Sequence, residues 1–148
     1  MNIRITLVLF VIGWLGLDCN HEEIILDKVS DLPEYFSENY HFGKDLRSIV
    51  ELNDFILVTG KIDTTSESPP RRLAVVSVDH KKLFLTLRKT RTINDETSEN
   101  YSGNGYNLNL VFKEKKIQNH SPIYEGYFVV ERNGLKSNYN VVGTSGYY

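Results

Sequence analysis

The chain has 148 residues, and its 19 acidic and 17 basic side chains give a formal net charge of −2. This length favours a single domain, and the near balance of charge argues against a nucleic-acid-binding protein, which usually carries a basic excess. The single cysteine excludes an internal disulfide framework and a zinc site built from several cysteines.

The N-terminal segment is the most apolar part of the chain. Thirteen uncharged residues, 5–17, follow Arg4 and precede Asp18. As a helix this run would extend about 20 Å, which is less than the ~30 Å of hydrocarbon in a bilayer. A short basic start followed by such a run is typical of a secretory signal peptide. We therefore expect residues 1–19 to direct export; the alternative is a buried N-terminal helix, which would have to hide apolar side chains on every side.

Cys19 directly follows this segment. Residues 1–19 resemble the signal segment of a bacterial lipoprotein precursor, in which a cysteine after the apolar run is lipidated and becomes the first mature residue. The resemblance implies that Cys19 is a lipid-attachment site and that the protein is held at a membrane surface. Two or more acyl chains would be needed for stable anchoring. Simple secretion, with cleavage near Cys19, and retention of the uncleaved segment as an anchor are the alternatives.

Residues 20–45 form an acidic lead-in to the rest of the chain. We expect one short helix near residues 32–39, because Ser30 or Asp31 could cap it and Pro33 would fall in its first turn. The remaining residues, 46–148, have the composition of a β domain, since alanine occurs only at Ala74 while Val, Ile, Thr and aromatic residues are plentiful.

Successive strands are predicted from residue 46 onward. Apolar and polar residues alternate almost regularly from Tyr106 to Lys113, which indicates a strand with one solvent-exposed face. Asn133-Gly134 lies between two apolar runs and predicts a tight hairpin. The strands are expected at residues 54–62, 72–78, 82–88, 106–113, 123–132 and 136–142. Two polar loops are expected, at residues 63–70 and 89–105, and the second is long enough to be mobile or functional.

Six or so antiparallel strands without helical crossovers indicate an all-β protein. The first choice is a small antiparallel β-barrel, a meander that is lipocalin-like in its general shape, with one short N-terminal helix. A β-sandwich of immunoglobulin-like type, or an OB-like barrel, is the alternative.

Charge is unevenly distributed beneath the small net value. Residues 18–67 carry twelve acids and four bases, whereas residues 71–91 carry seven bases and one acid. The basic cluster either faces water and the acidic segment, or meets an anionic partner such as lipid head groups or an acidic protein. Its members are Arg71, Arg72, Lys81, Lys82, Arg88, Lys89 and Arg91.

No residue pattern selects a catalytic, metal or cofactor site. The four histidines are far apart in the sequence and are expected in exposed loops: His21, His41, His80 and His120. Carboxylates are numerous, but their spacing selects no acid/base pair. Seven of the nine tyrosines follow residue 100. They are expected to pack against other side chains in the strands. The alternative is that they line the opening of a ligand-binding site.

These features predict a secreted or lipid-anchored β protein of the cell envelope that binds a partner without catalysis. The partner would be a protein or a small apolar ligand, held at one barrel end and its long loops. An inhibitor or immunity-type protein that blocks a secreted enzyme is one form of this hypothesis. A structural envelope component and a small hydrolase are the other two hypotheses. No cofactor is expected.

Overall fold

A computed structural model describes residues 23–32, 36–51, 54–62, 71–118 and 120–146. Within these ranges the chain forms strands almost throughout, with one short helix. The elements, in chain order, are β1 Leu26–Asp27, β2 Phe36–Gly43, α1 Leu46–Val50, β3 Phe55–Ile62, β4 Arg71–Val78, β5 Lys81–Ile93, β6 Glu96–Gly103, β7 Tyr106–Gln118, β8 Ser121–Arg132 and β9 Leu135–Gly146.

Strands β2 to β9 form a closed eight-stranded antiparallel barrel. Each strand pairs with the next along the chain, and β9 pairs with β2 to close the cylinder. The meander barrel predicted from the sequence is therefore confirmed, and the sandwich is not the architecture. Closure removes the free strand edges that an open sheet of this length would expose.

The alternation of side chains along each strand separates the barrel interior from its outer surface. On β7, Leu108 and Leu110 are buried, whereas Asn107 and Asn109, which alternate with them, are exposed. Leu108 and Leu110 lie opposite Val130 and Phe128 on β8, so the same face of both strands fills the interior. This is the period of two that the sequence shows over residues 106–113.

The turns between strands confirm the predicted C-terminal hairpin. Asn133 and Gly134 have φ values of 51° and 81°, the positive angles that a two-residue type I′ turn requires. Asn104-Gly105 makes a similar turn between β6 and β7, with Asn104 at φ 53° and Gly105 at φ 79°.

The predicted loop at residues 89–105 is wrong. Strand β5 continues to Ile93, turns at Asn94 and Asp95, and returns as β6. Both turn residues have positive φ, which Asn and Asp adopt more readily than other non-glycine residues. This hairpin carries few apolar side chains because its inner face lines a cavity and its outer face meets water, so its sequence lacks apolar alternation.

The predicted helix near residues 32–39 is also misplaced. Residues 36–39 belong to β2, which pairs with both β3 and β9. The short helix lies instead at Leu46–Val50, where the Asp45 side chain accepts a hydrogen bond from the Ser48 amide at 2.9 Å. Strand pairing that closes the barrel outweighs the local capping signals at Ser30 and Asp31. No described helix is both long and apolar enough to cross a bilayer.

The segment from Ile24 to Asp27 closes one end of the barrel. The Ile24 amide donates to Ser137 Oγ at 2.9 Å, and the Tyr139 hydroxyl donates to the Ile24 carbonyl. Leu26 pairs with Val78 in β4 and is buried with the barrel core. We call this the closed end. The apolar core fills the barrel from here toward its middle, and the opposite end, called the cavity end, is lined differently.

Candidate ligand-binding cavity

A cavity of about 1350 Å³ lies at the cavity end of the barrel. Its described lining comes from the start of β2, β4, β6 and β8 and from the end of β5, β7 and β9. Antiparallel strands place these segments together because every second strand begins where its neighbours finish. The cavity is larger than the 300–1,000 Å³ that is typical for small-molecule pockets.

The floor of the cavity carries a buried ion pair. Arg72 on β4 and Glu99 on β6 approach each other across β5, with Arg72 Nε 3.2 Å from Glu99 Oε1. The Arg72 side chain is 14% exposed and the Glu99 side chain 8%. Both side chains point inward because Ala74, two residues from Arg72, and Tyr101, two residues from Glu99, belong to the core.

Neighbouring hydroxyl groups hold this pair. The Tyr101 hydroxyl donates to Glu99 Oε2 at 2.5 Å, and Arg72 Nη2 donates to Thr59 Oγ1 at 3.2 Å. Burial, together with the negative charge of Glu99, raises the pKa of Tyr101, so the phenol keeps its proton and remains a donor. Burial is the largest single influence on the pKa of Arg72 and lowers it, but the interactions with Glu99, Tyr101 and Tyr40 together outweigh burial, so the net shift is upward. We call these four side chains the floor network.

An aromatic cluster forms one side of the cavity. The Tyr40 ring lies 5.4 Å from the Phe112 ring and 5.3 Å from the Tyr124 ring, measured between centroids. The Arg72 guanidinium lies 5.2 Å from the Tyr40 centroid, a cation–π distance that links this side to the floor network. Burial raises the pKa of Tyr124, whose phenol lies near Tyr40 and Ser145.

Threonine hydroxyls form another part of the lining. Thr90 and Thr92 on β5 and Thr97 on β6 line the cavity, and the Thr92 and Thr97 hydroxyls are 3.2 Å apart. Charged side chains stand around the rim, partly in pairs. Lys61 Nζ lies 2.6 Å from Glu38 Oε2, and Lys115 pairs with Glu125.

The seven basic residues singled out from the sequence do not form one patch. Arg72 is inside the barrel, in the floor network, while Arg71, Arg88, Lys89 and Arg91 are exposed. Lys81 and Lys82 are at the opposite, closed end, where Lys82 Nζ donates to the carbonyls of Ser30 and Asp31. Binding of an anionic partner by the exposed members remains a prediction.

The histidine prediction is wrong for His41. This residue lies in strand β2, is 4% exposed and packs its ring 4.7 Å from that of Phe55. Burial lowers the pKa of His41 to about 4. His80 and His120 are exposed, as expected, and His21 lies outside the described residues. Across the described ranges, no group of three or more His, Cys, Asp or Glu side chains is placed to hold a metal ion.

Sequence reasoning missed most of the cavity. Glu99 falls in the predicted long loop and Tyr40 directly follows the predicted helix, so neither was singled out. The available signal was the alternation of Thr97, Glu99 and Tyr101 against Ser98 and Asn100, which has the period of a strand but little apolar contrast. Cys19, the predicted lipid-attachment site, lies outside the described residues.

Comparisons of this chain with protein-family models, with curated proteins and with solved structures found no match. The geometry alone therefore defines what the cavity can do. It presents a neutral ion pair at its base, an aromatic side and several hydroxyl groups, which together suit the reversible binding of a molecule that has both polar and apolar surface.

Proposed function

We propose that this protein is a non-enzymatic binding module that takes a small ligand into the cavity. The observation that carries the proposal is the buried Arg72–Glu99 pair at the cavity floor. Burying two charges costs more than filling the same space with apolar side chains in many proteins. A barrel selected only for stability would gain by extending its apolar core to this level, whereas a few fixed polar groups in a pocket orient a ligand.

The lining favours an amphipathic ligand over the purely apolar one considered from the sequence. Tyr40, Phe112 and Tyr124 supply apolar surface on one side. Arg72, Glu99 and the threonines of β5 and β6 supply hydrogen-bonding groups. A purely apolar ligand would desolvate these polar groups without replacing their hydrogen bonds to water, and that loss opposes binding.

Binding is favoured over hydrolysis by the way Glu99 is held. Its two carboxylate oxygens are engaged by Arg72 and by the Tyr101 hydroxyl. A general acid or base must gain and lose a proton at the reacting group, and it works best when its pKa lies near the working pH. A carboxylate held between a guanidinium and a phenol stays charged, so it is better suited to recognising a ligand than to transferring protons.

Fragment binding followed by NMR tests the proposal. A library of small fragments, including neutral, charged and apolar members, is screened by saturation transfer against three proteins: the unaltered chain, Thr90→Trp and Lys89→Trp. Both residues are exposed, but Thr90 lines the cavity and Lys89 does not. We expect Thr90→Trp to lose most of the hits and Lys89→Trp to keep them. Equal numbers of hits in both variants would contradict the proposal.

We also propose that the protein is exported and lipidated at Cys19. Support comes from the apolar run at residues 5–17 and from Cys19, which directly follows that segment. Ile24 lies at the closed end of the barrel. Five residue steps separate Cys19 from Ile24 and span at most about 17 Å. An anchor at Cys19 would thus keep the closed end near the membrane and turn the cavity away from it.

Intact-mass analysis of the protein purified from its native membrane tests the anchor. The expected mass is that of a chain beginning at Cys19 with added acyl groups. Cys19→Ser should leave an unacylated protein. An unmodified chain beginning elsewhere would contradict lipidation while leaving the cavity proposal untouched.

A further inference from the structure

The charges around the cavity nearly cancel. Within the floor network, the Arg72 cation and the Glu99 anion neutralise each other at 3.2 Å. The described residues that line the cavity include three basic and four acidic side chains, so the formal sum is −1. These are Arg72, Lys113 and Lys115, with Glu38, Asp95, Glu99 and Glu114. Removing a charged ligand group from water costs free energy, and a nearly neutral lining provides too little electrostatic attraction to offset that cost. The charged group would also compete with the existing ion pair between Arg72 and Glu99.

Hydroxyls make up eight of the seventeen hydrogen-bonding side chains in the described lining, and each can both donate and accept. Thr90, Thr92 and Thr97 contribute aliphatic hydroxyls, and Tyr40 and Tyr124 contribute phenols. Such groups match ligand hydroxyls or amides in either direction. They offer no particular advantage to a ligand that is only an acceptor, such as a carboxylate or phosphate.

From these observations we infer that the ligand is a short neutral oligosaccharide. This inference rests on the proposed binding function and names the ligand class of the same cavity. Sugar rings carry many hydroxyls on a frame whose C–H faces pack against aromatic rings, and Tyr124 supplies such a ring in the lining. The cavity volume of about 1350 Å³ accommodates more than one sugar ring. An acyl chain, by contrast, would leave the threonines and the floor network without partners.

Calorimetric titration with matched probes tests the ligand class. N,N′,N″-triacetylchitotriose and maltotriose are the neutral probes. Deacetylated chitotriose, in its protonated form, differs from the first probe by its charge and its missing acetyl groups. 3′-Sialyllactose is the anionic probe and N-phenyl-1-naphthylamine the apolar one. We expect at least one neutral trisaccharide to bind about tenfold more tightly than each of the other three probes. Tighter binding of a charged or apolar probe would overturn the inference.

Variants of cavity residues test whether the neutral trisaccharide binds in the cavity. Thr90→Trp should weaken binding of the neutral trisaccharide by at least about tenfold, and Lys89→Trp should leave it unchanged. Glu99→Gln leaves Arg72 uncompensated and should shift the preference toward 3′-sialyllactose. If Glu99→Gln does not fold, the double variant Arg72→Met/Glu99→Leu, which removes both charges, should bind neither charged probe better than the unaltered chain does. If fragments occupy the cavity but no trisaccharide binds, the saccharide inference fails and the binding function stands.

Discussion

Arg72 and Glu99 are the two residues on which the proposed site depends most. Each is held by a second partner, Thr59 for the guanidinium and Tyr101 for the carboxylate. Removing one member leaves the other as an uncompensated buried charge, whereas removing both leaves an apolar floor. The stability of single and double variants therefore distinguishes a buried pair from a solvent-screened one.

Glu99→Gln is expected to lower the free energy of unfolding by about 3 kcal/mol, because Arg72 stays buried without its counter-charge. The double variant Arg72→Met/Glu99→Leu should lie within about 1 kcal/mol of the unaltered protein, or above it. Urea denaturation measures both values. Glu114→Gln, at an exposed rim position, is the control and should change stability by less than about 0.5 kcal/mol. A Glu99→Gln protein as stable as the control would show that the pair is not effectively buried.

His41 should make stability depend on pH in the mildly acidic range. Its pKa is lowered by burial to about 4, below the value of 6.5 in an unfolded chain. As the pH falls below 6.5, the unfolded chain takes up a proton that the folded protein does not, so stability decreases. The decrease is about 1.4 kcal/mol per pH unit and is complete near pH 4, after a loss of about 3 kcal/mol.

Denaturation between pH 7 and pH 4 measures this slope. His41→Phe retains an aromatic ring against Phe55 and should flatten the slope by the His41 contribution. His120→Gln changes an exposed histidine and should leave the slope as it is. Identical pH profiles for His41→Phe and the unaltered protein would contradict the role assigned to His41.

At the scale of single elements, the segment containing β1 packs against the core and closes one end of the barrel. Ile24 is 7% exposed and Ile25 is 69% exposed, although they are neighbours in the chain. Ile24 packs in the core and its amide bonds to Ser137. The two residues thus offer a matched pair for testing whether this segment closes the barrel.

Ile24→Ala should destabilise the protein by about 2–4 kcal/mol, because it removes buried apolar volume at the closed end. Ile25→Ala should cost less than about 0.5 kcal/mol. Urea denaturation measures both losses, and we expect a clearly lower midpoint for Ile24→Ala than for Ile25→Ala. Equal and small effects would mean that residues 24–27 do not seal the barrel in solution.

The hairpin of β5 and β6 shows where sequence patterns stop being informative. Apolar alternation predicts a strand only when one face is buried among apolar side chains. The inner face of this hairpin beyond Leu87 carries Thr90 and Thr92, which line a polar cavity, so the contrast disappears. The polar residues that line the cavity therefore leave no apolar alternation in the sequence, which is why the segment is predicted as a loop.

Hydrogen exchange tests the same hairpin directly. The interstrand hydrogen bonds of residues 89–93 with residues 96–100 should protect alternate amides well beyond the level of an exposed loop. The amides of the Asn94-Asp95 turn should exchange quickly. Rapid exchange throughout residues 89–100 would favour the mobile loop that the sequence alone predicted.

At the scale of the whole molecule, the barrel could be predicted from the sequence, but the difference between its apolar closed end and its polar cavity end could not. Tight turns such as Asn133-Gly134 and the alternation over residues 106–113 identify antiparallel neighbours in chain order, and a meander follows. Closure depends on β2, whose pairing with β9 joins residues about a hundred positions apart and leaves no local signal. The separation into a sealed apolar end and a polar cavity end likewise arises only when distant strands are brought into register.

Chemical-shift mapping with N,N′,N″-triacetylchitotriose tests the central claim that this cavity is the binding site. Amide shifts are followed during the titration of the isotopically labelled protein. We expect little change at Asn107 and Asn138 on the outer surface and the largest changes at residues that line the cavity: Tyr40, Arg72, Thr90, Thr97 and Glu99. Saturable changes confined to the outer surface, with the cavity amides unmoved, would contradict this claim.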